Sequence, residues 1–356
     1  DSWTGVAISY DGLKALGLPE TSLGSFPLAF QQGMAARAEQ LRDLGENAPE
    51  TWEDPYRPGT CHIALTIYAR DDDALDDVLA KAEAELEKST GITLIGTHRF
   101  GADEDAKNPF GFRDSISQPL VDGSGVALAM PQPAPLGRNG SYIVLRKYQS
   151  RIGAFNDFLR EQSADEGEQD YIAAKMFGRW QSGAPLPLAP DRDDPELGAD
   201  SRRNNDFSYE DDHRGLVCPH AAHMRRLNPR DSQLTILSDV NIHRIIRRSS
   251  TYGPKWSRDV TSEVDAQEDR GLFFIFISAR AFDTIEFLQQ EWINRGNFVD
   301  LGEERDPIVG LHQTPGTFTI PETPVRRKID GVTTFNRLRG GEYMFMPSLT
   351  ALRWIG

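Results

Sequence analysis

Two cysteines stand in 356 residues, Cys61 and Cys218, each isolated in its stretch of sequence. Neither a disulfide framework nor a cysteine-built zinc cluster can come from them, so cofactor chemistry falls to histidine. No apolar run approaches the roughly 20 residues that a membrane-crossing helix needs, and no membrane role is expected. Positive charge is also in short supply: 39 Lys and Arg face 54 Asp and Glu, a formal net charge of -15. That balance repels a phosphate backbone, and the basic stretches Met224-Arg225-Arg226 and Arg244 to Arg248 are short. No nucleic-acid partner is expected. The seven histidines include no HExxH pair and no His-Cys-Cys arrangement, so the usual catalytic zinc patterns are missing too. The compartment stays open, the cytoplasm being favoured over secretion.

What is present is a strand followed by a helix, four times over. Thr4 to Tyr10 leads into Asp11 to Gly17, and Cys61 to Tyr68 into Asp73 to Lys88. Ser141 to Lys147 leads into Ile152 to Glu161, and Gly271 to Ser278 into Phe282 to Ile293. In the second unit Leu75, Val78, Leu79, Ala82 and Leu86 share one helical face. Gly91 then ends the helix before an expected strand, Ile92 to Ile95, which would complete a β-α-β step. The pattern reads as α+β, in two similar halves with mainly antiparallel sheets and helices on one face, with a doubly wound parallel sheet as second choice. Two long connections, Gly101 to Asn139 and Gly178 to Gly215, are of the length that covers a site or carries its residues. The Asp-rich part of the latter, Asp191 to Asp212, reads equally as a surface insertion.

Three segments hold candidate chemistry. In Cys218-Pro-His-Ala-Ala-His-Met-Arg-Arg226, small alanines before His223 would let a flat cofactor approach, and the arginines after it would suit carboxylates. Taken alone, a single histidine is more often structural than a ligand. In Asn108-Pro-Phe-Gly-Phe-Arg-Asp-Ser-Ile-Ser-Gln-Pro119, Asp114 sits among aromatics and beside an arginine; it reads as a proton-moving carboxylate or as a turn residue. The third, His243-Arg-Ile-Ile-Arg-Arg-Ser-Ser-Thr-Tyr-Gly-Pro254, is a basic strand.

Jointly these segments resemble the dye-decolourising peroxidase family. Gly111 to Ser115 resembles its Gly-x-x-Asp-Gly motif, CPHAAHMRRLNPRD its proximal-histidine segment and HRIIRRSSTYGP its distal-arginine segment. Lys175 to Leu186, Asp269 to Ser278 and Gly340 to Trp354 add further similarity, so recognisable blocks run from about residue 100 onward. The resemblance implies duplicated ferredoxin-like halves, 1–140 and 141–356, with haem in the C-terminal half. It implies that His223 is the axial iron ligand and that Asp114 and Arg247 are catalytic above the haem plane. Leu272 and Phe274 would narrow the distal pocket, and Asp306 would be the acidic partner of the proximal imidazole. Arg146 and Arg244 would pair with haem propionates.

Without a Cys-x-x-Cys-His sequence the cofactor would be non-covalent haem b. The implied reaction reduces hydrogen peroxide, with Asp114 moving a proton between its oxygens and Arg247 favouring the developing charge, and oxidises dyes, phenols or other bulky donors. Electrons from such donors would pass through aromatics, for which Trp180, Tyr252, Trp256, Trp292 and Trp354 are available, each otherwise a packing residue. A haem carrier without turnover and a chlorite-dismutating haem protein are the rival readings, the Asp114 segment arguing against the second. Three positions depart from the family pattern: Ser115 replaces a glycine, His220 an aromatic and Thr251 a proline.

Overall fold

The computed structural model describes residues 2–101, 107–113, 116–119, 130–231 and 240–356. Among them, strands β1 (Ser2–Ile8), β2 (Ile63–Ala69), β3 (Ser141–Ser150), β4 (Ile246–Arg247), β5 (Ser250–Tyr252) and β6 (Gly271–Ser278) join one sheet. Strands β7 (Gly316–Ile320) and β8 (Arg327–Val332) form a separate hairpin, and β9 (Asn336–Met346) returns to the large sheet. The order across that sheet is β2-β1-β9-β3-β6-β4, with β5 also paired to β6. Every pairing in it is antiparallel, which answers the parallel alternative. The fold is α+β with antiparallel sheets and peripheral helices, as the sequence pattern implies. Strands near the N-terminus meet those of the second half where Ile8 of β1 pairs with Phe345 of β9.

Period-two alternation explains why β3 sits in the middle. Tyr142, Val144 and Tyr148 bury one face against Phe30, Phe276, Phe282 and Phe345, while Ile143 and Leu145 bury the other against Phe273, Ile275 and Met344. A strand apolar on both faces needs cover on both sides. Helices of residues 10–41 and Ala281–Phe287 supply it on the first face. A second core joins helices Ile152–Gln162 and Glu166–Phe177 to the β7–β8 hairpin through Phe155, Phe177, Phe318 and Phe335.

Local signals set the helix ends. The Asp71 side chain accepts from the Ala74 N–H at 2.9 Å to start helix Asp72–Glu87, whose half-buried side includes Leu75, Val78, Leu79, Ala82 and Leu86. Asp165 caps helix Glu166–Phe177, and Gly178 ends it at φ 93°. The expected strand Ile92 to Ile95 does not form. Ile92, Leu94 and Ile95 are about half exposed and no sheet edge pairs with them, so burial does not offset the ordering of so short a run. Without that strand the β-α-β step is absent as well.

Candidate functional site

The helix that carries His223 is short, His223–Leu227, and it is held close to helix Glu166–Phe177 by small residues. Ala221 and Ala222 are fully buried beneath it. Gly178 lies so near Met224 and Cys218 that a Cβ there would stand 3.0 Å from Met224 Cβ. The run of small residues noted before His223 thus serves backbone packing.

His223 lines a cavity of about 270 Å³. Its Nδ1 lies 2.8 Å from Oδ2 of Asp306, which is fully buried. The other carboxylate oxygen of Asp306 accepts the N–H groups of Ile308 (2.9 Å) and Val309 (3.0 Å), so the side chain cannot swing. Burial pushes the Asp306 carboxyl up, but the charge and hydrogen bond of His223, the Val309 N–H and the Arg226 guanidinium outweigh it and hold it below the ordinary carboxylate range. An ionised Asp306 requires the proton on Nδ1, which leaves the Nε2 lone pair free to bind a metal. Arg226 is itself buried, donating to the main-chain oxygens of Trp292, Glu304 (3.0 Å) and Arg295 (2.9 Å).

The rest of the wall comes mainly from both long connections, from β6, from segment 243–249, and from residues 285–293 and 308–309. Phe110, Phe112, Leu272, Phe274, Ile285, Leu288 and Ile308 make it apolar. Five arginines reach it, Arg113, Arg179, Arg230, Arg244 and Arg247, and no carboxylate lines it among the described residues. Arg247 donates to the Ser117 main-chain oxygen and Arg244 to the Ser117 hydroxyl, both at 2.8 Å. Desolvation, and then the Arg247 charge, lowers the affinity of Arg244 for its proton. Arg230 lies over the Phe207 ring at 3.7 Å and donates to the Phe207 main-chain oxygen at 3.0 Å. An apolar slot with one carboxylate-backed imidazole and a surplus of guanidinium groups matches a flat dianionic macrocycle that takes a nitrogen ligand. The residues fit haem.

Of the residues singled out in the sequence, His223, Arg244, Arg247, Leu272 and Phe274 surround this cavity, and Asp306 stands directly behind His223. Asp114 and Ser115 lie outside the described residues. Arg146 is a correction. It is not among the cavity residues and is 1% exposed; Asp43 takes its two terminal nitrogens, at 3.0 Å and 2.5 Å, and Tyr148 Oη takes its Nε at 2.7 Å. A guanidinium buried against Asp43 and Tyr148 and absent from the cavity wall does not meet a propionate there. Trp180 and Trp292 are buried, whereas Tyr252, Trp256 and Trp354 are half-buried.

Arg113, Arg179, Arg230, Tyr148 and Gln289 were not anticipated at the cavity. Arg179 and Arg230 do fall within similar blocks, and Arg230 takes a φ of 51°, rare for a side chain of its size. Tyr148 carries no sequence signal beyond strand alternation.

The chain is similar to known proteins over nearly its whole length. Residues 2–99 match the model of the DyP dimeric alpha+beta barrel domain, and residues 105–304 match that of Dyp-type peroxidase, C-terminal. A dye-decolorizing peroxidase of Mycetinis scorodonius is 31% identical over 395 residues, covering 98% of this chain and 75% of that protein. One of Mycena epipterygia is 32% identical, covering 98% and 74%. Among solved structures, an ancestral D-type dye decolorizing peroxidase superposes with a TM-score of 0.80 at 29% identity, covering 99% of this chain and 85% of that one. A dye-decolorizing peroxidase in complex with 2,6-dimethoxyphenol gives 0.76 at 30%, again covering 99% and 85%.

Proposed function

This chain belongs to the dye-decolorizing peroxidase family, and from that premise we propose that His223 binds the iron of a non-covalent haem b and that Arg247 and Asp114 act on the peroxide. The protein is a peroxidase. The observation that carries the site assignment is the His223–Asp306 pair at the wall of an apolar, arginine-rimmed cavity. Bound haem supplies the redox chemistry that reduces hydrogen peroxide to water and passes oxidising power to a donor.

The chain's own residues do the rest. Asp306 fixes the tautomer and angle of His223, so Nε2 would be the nitrogen that holds the iron of a bound haem. Arg247, anchored on Ser117, presents a fixed positive charge to the negative charge that develops on a peroxide oxygen. Asp114 takes the proton from one peroxide oxygen and delivers it to the other, a role that rests on the resemblance of Gly111 to Ser115 to the family motif. Leu272 and Phe274 restrict the approach to small oxidants. Arg179, Arg230 and Arg244 are the candidates to meet the haem carboxylates. Donors are dyes, phenols and similar organic molecules, in keeping with the dimethoxyphenol complex of a relative.

An absorption spectrum tests the assignment. Protein loaded with haem gives a Soret band that is lost or shifted in His223→Ala. An unchanged band in that variant overturns His223 as the ligand.

A further inference from the structure

We propose that Tyr148, the tyrosine lining the cavity, is held in a hydrogen-bond setting that stops it from being oxidised, and that the buried Asp43–Arg146 pair is the positioning device responsible. The inference rests on the proposed haem site and concerns where oxidising equivalents cannot go.

Tyr148 pairs across the sheet with Leu272, and Arg146 with Phe274, so all four side chains share the sheet face that lines or underlies the cavity. Among the described residues the Tyr148 hydroxyl oxygen has two side-chain hydrogen-bond partners, and both are donors. Arg146 Nε donates to it at 2.7 Å, and Gln289 Nε2 points at it from 3.5 Å. Gln289 cannot reverse its amide at no cost, because its Oε1 already accepts from Asn294 Nδ2 at 3.1 Å. Arg146 cannot turn away either: Asp43, 2% exposed, takes both of its terminal nitrogens. No acceptor for the Tyr148 proton is present among the described residues.

Removing one electron from a phenol turns its O–H into a strong acid. Oxidation at moderate potential therefore transfers the electron to the oxidant and the proton to a neighbouring base in one process. At Tyr148 the electron could leave toward an oxidised cofactor, but among the described residues the hydroxyl is faced only by N–H groups, the nearer of them a guanidinium. Tyr252 shows what is missing. Its hydroxyl lies 3.2 Å from the Asp269 carboxylate and 3.0 Å from the Tyr148 main-chain oxygen, both acceptors. Two tyrosines 104 residues apart along the chain, joined by a hydrogen bond, thus sit in opposite proton environments.

The test is freeze-quench electron paramagnetic resonance on haem-loaded protein mixed with one equivalent of hydrogen peroxide and no donor. Tyr148→Phe should leave the radical line shape and spin yield of the parent unchanged. Gln289→Glu places a carboxylate beside the hydroxyl; it should add a tyrosyl signal that is absent from the Tyr148→Phe/Gln289→Glu double variant. Loss of a tyrosyl component in Tyr148→Phe alone overturns the proposal, and so does a Gln289→Glu protein with the parent's Soret band but no new signal. The first comparison stands even where Gln289→Glu does not fold. A parent protein without a Soret band would instead count against the haem assignment.

Discussion

Asp306 Oδ2 and His223 Nδ1 stand 2.8 Å apart, the carboxylate wholly buried and the imidazole at the cavity wall. Their residues are 83 apart in sequence, yet three further contacts of Asp306, to Ile308, Val309 and His312, fix its position independently of the histidine. The carboxylate is preorganised. In Asp306→Asn the amide still accepts from the loop, but the charge that polarises His223 is gone. Haem affinity should fall by about 10- to 100-fold and the iron potential should rise; reconstitution titrations and spectroelectrochemistry read the two effects.

Arg247→Ala leaves the apolar slot and the His223 side in place. The Soret band should persist while kcat/KM for hydrogen peroxide drops by roughly 10²- to 10³-fold, the usual cost of removing one preorganised electrostatic donor. A rate within a factor of two of the parent would remove Arg247 from peroxide chemistry.

The Asp43–Arg146 pair predicts a stability pattern. Asp43→Ala strands a buried guanidinium and should cost about 3–5 kcal/mol. Replacing both partners by apolar residues of similar volume should cost much less, since no charge is then left unpaired. Urea unfolding of the single and double variants makes the comparison.

Glu342, half-buried on β9, gives a pH dependence. Burial pushes its carboxyl up to about 7, although the N–H groups of Tyr343 (2.9 Å) and Met34 (3.4 Å) pull the other way. Between its unfolded value of 4.5 and about 7, the unfolded chain has released this proton and the folded chain has kept it. Stability from this group is therefore full below pH 4.5 and declines as the pH rises through about 7. Glu342→Gln should flatten that decline in urea midpoints measured from pH 4.5 to 8.

Gly111 takes a φ of +82°, and a Cβ there would stand 2.7 Å from the Trp256 ring. Gly111→Ala should destabilise by about 1–3 kcal/mol and disturb the neighbouring cavity residues Phe110 and Phe112. Thermal melting and the position of the Soret band report the two consequences.

Much of this architecture can be read before any coordinates. The four strand-helix units appear where alternation and 3.6-residue spacing place them, because β3 is buried on both faces and helix Asp72–Glu87 is half-buried along one. What local pattern does not contain is partnership. Nothing in Ile92 to Ile95 announces that no strand edge will receive it, and nothing in Ser2–Ile8 says that β9 will be its neighbour. The site divides in the same way. Motif similarity brings His223, Arg244, Arg247, Leu272 and Phe274 together, and the structure sets them around one cavity. Arg146 is held away from the cavity by Asp43, a partner 103 residues distant that the sequence around Arg146 does not reveal. Arg113, Arg179 and Arg230 lie within blocks similar to the family, but nothing local in the sequence says that their side chains turn toward the cavity.

The central position of β9 bears on how the protein is made. Asn336, at its start, lines the cavity, and its strand separates β1 from β3. As the chain leaves the ribosome, residues 223 to 309 emerge with the imidazole, the carboxylate and most of the wall, but the sheet behind them stays open until residue 346 is free. Sheet closure is thus a late, long-range event. Cofactor capture should therefore follow the emergence of β9, and cells short of haem should accumulate an empty precursor whose sheet has already closed.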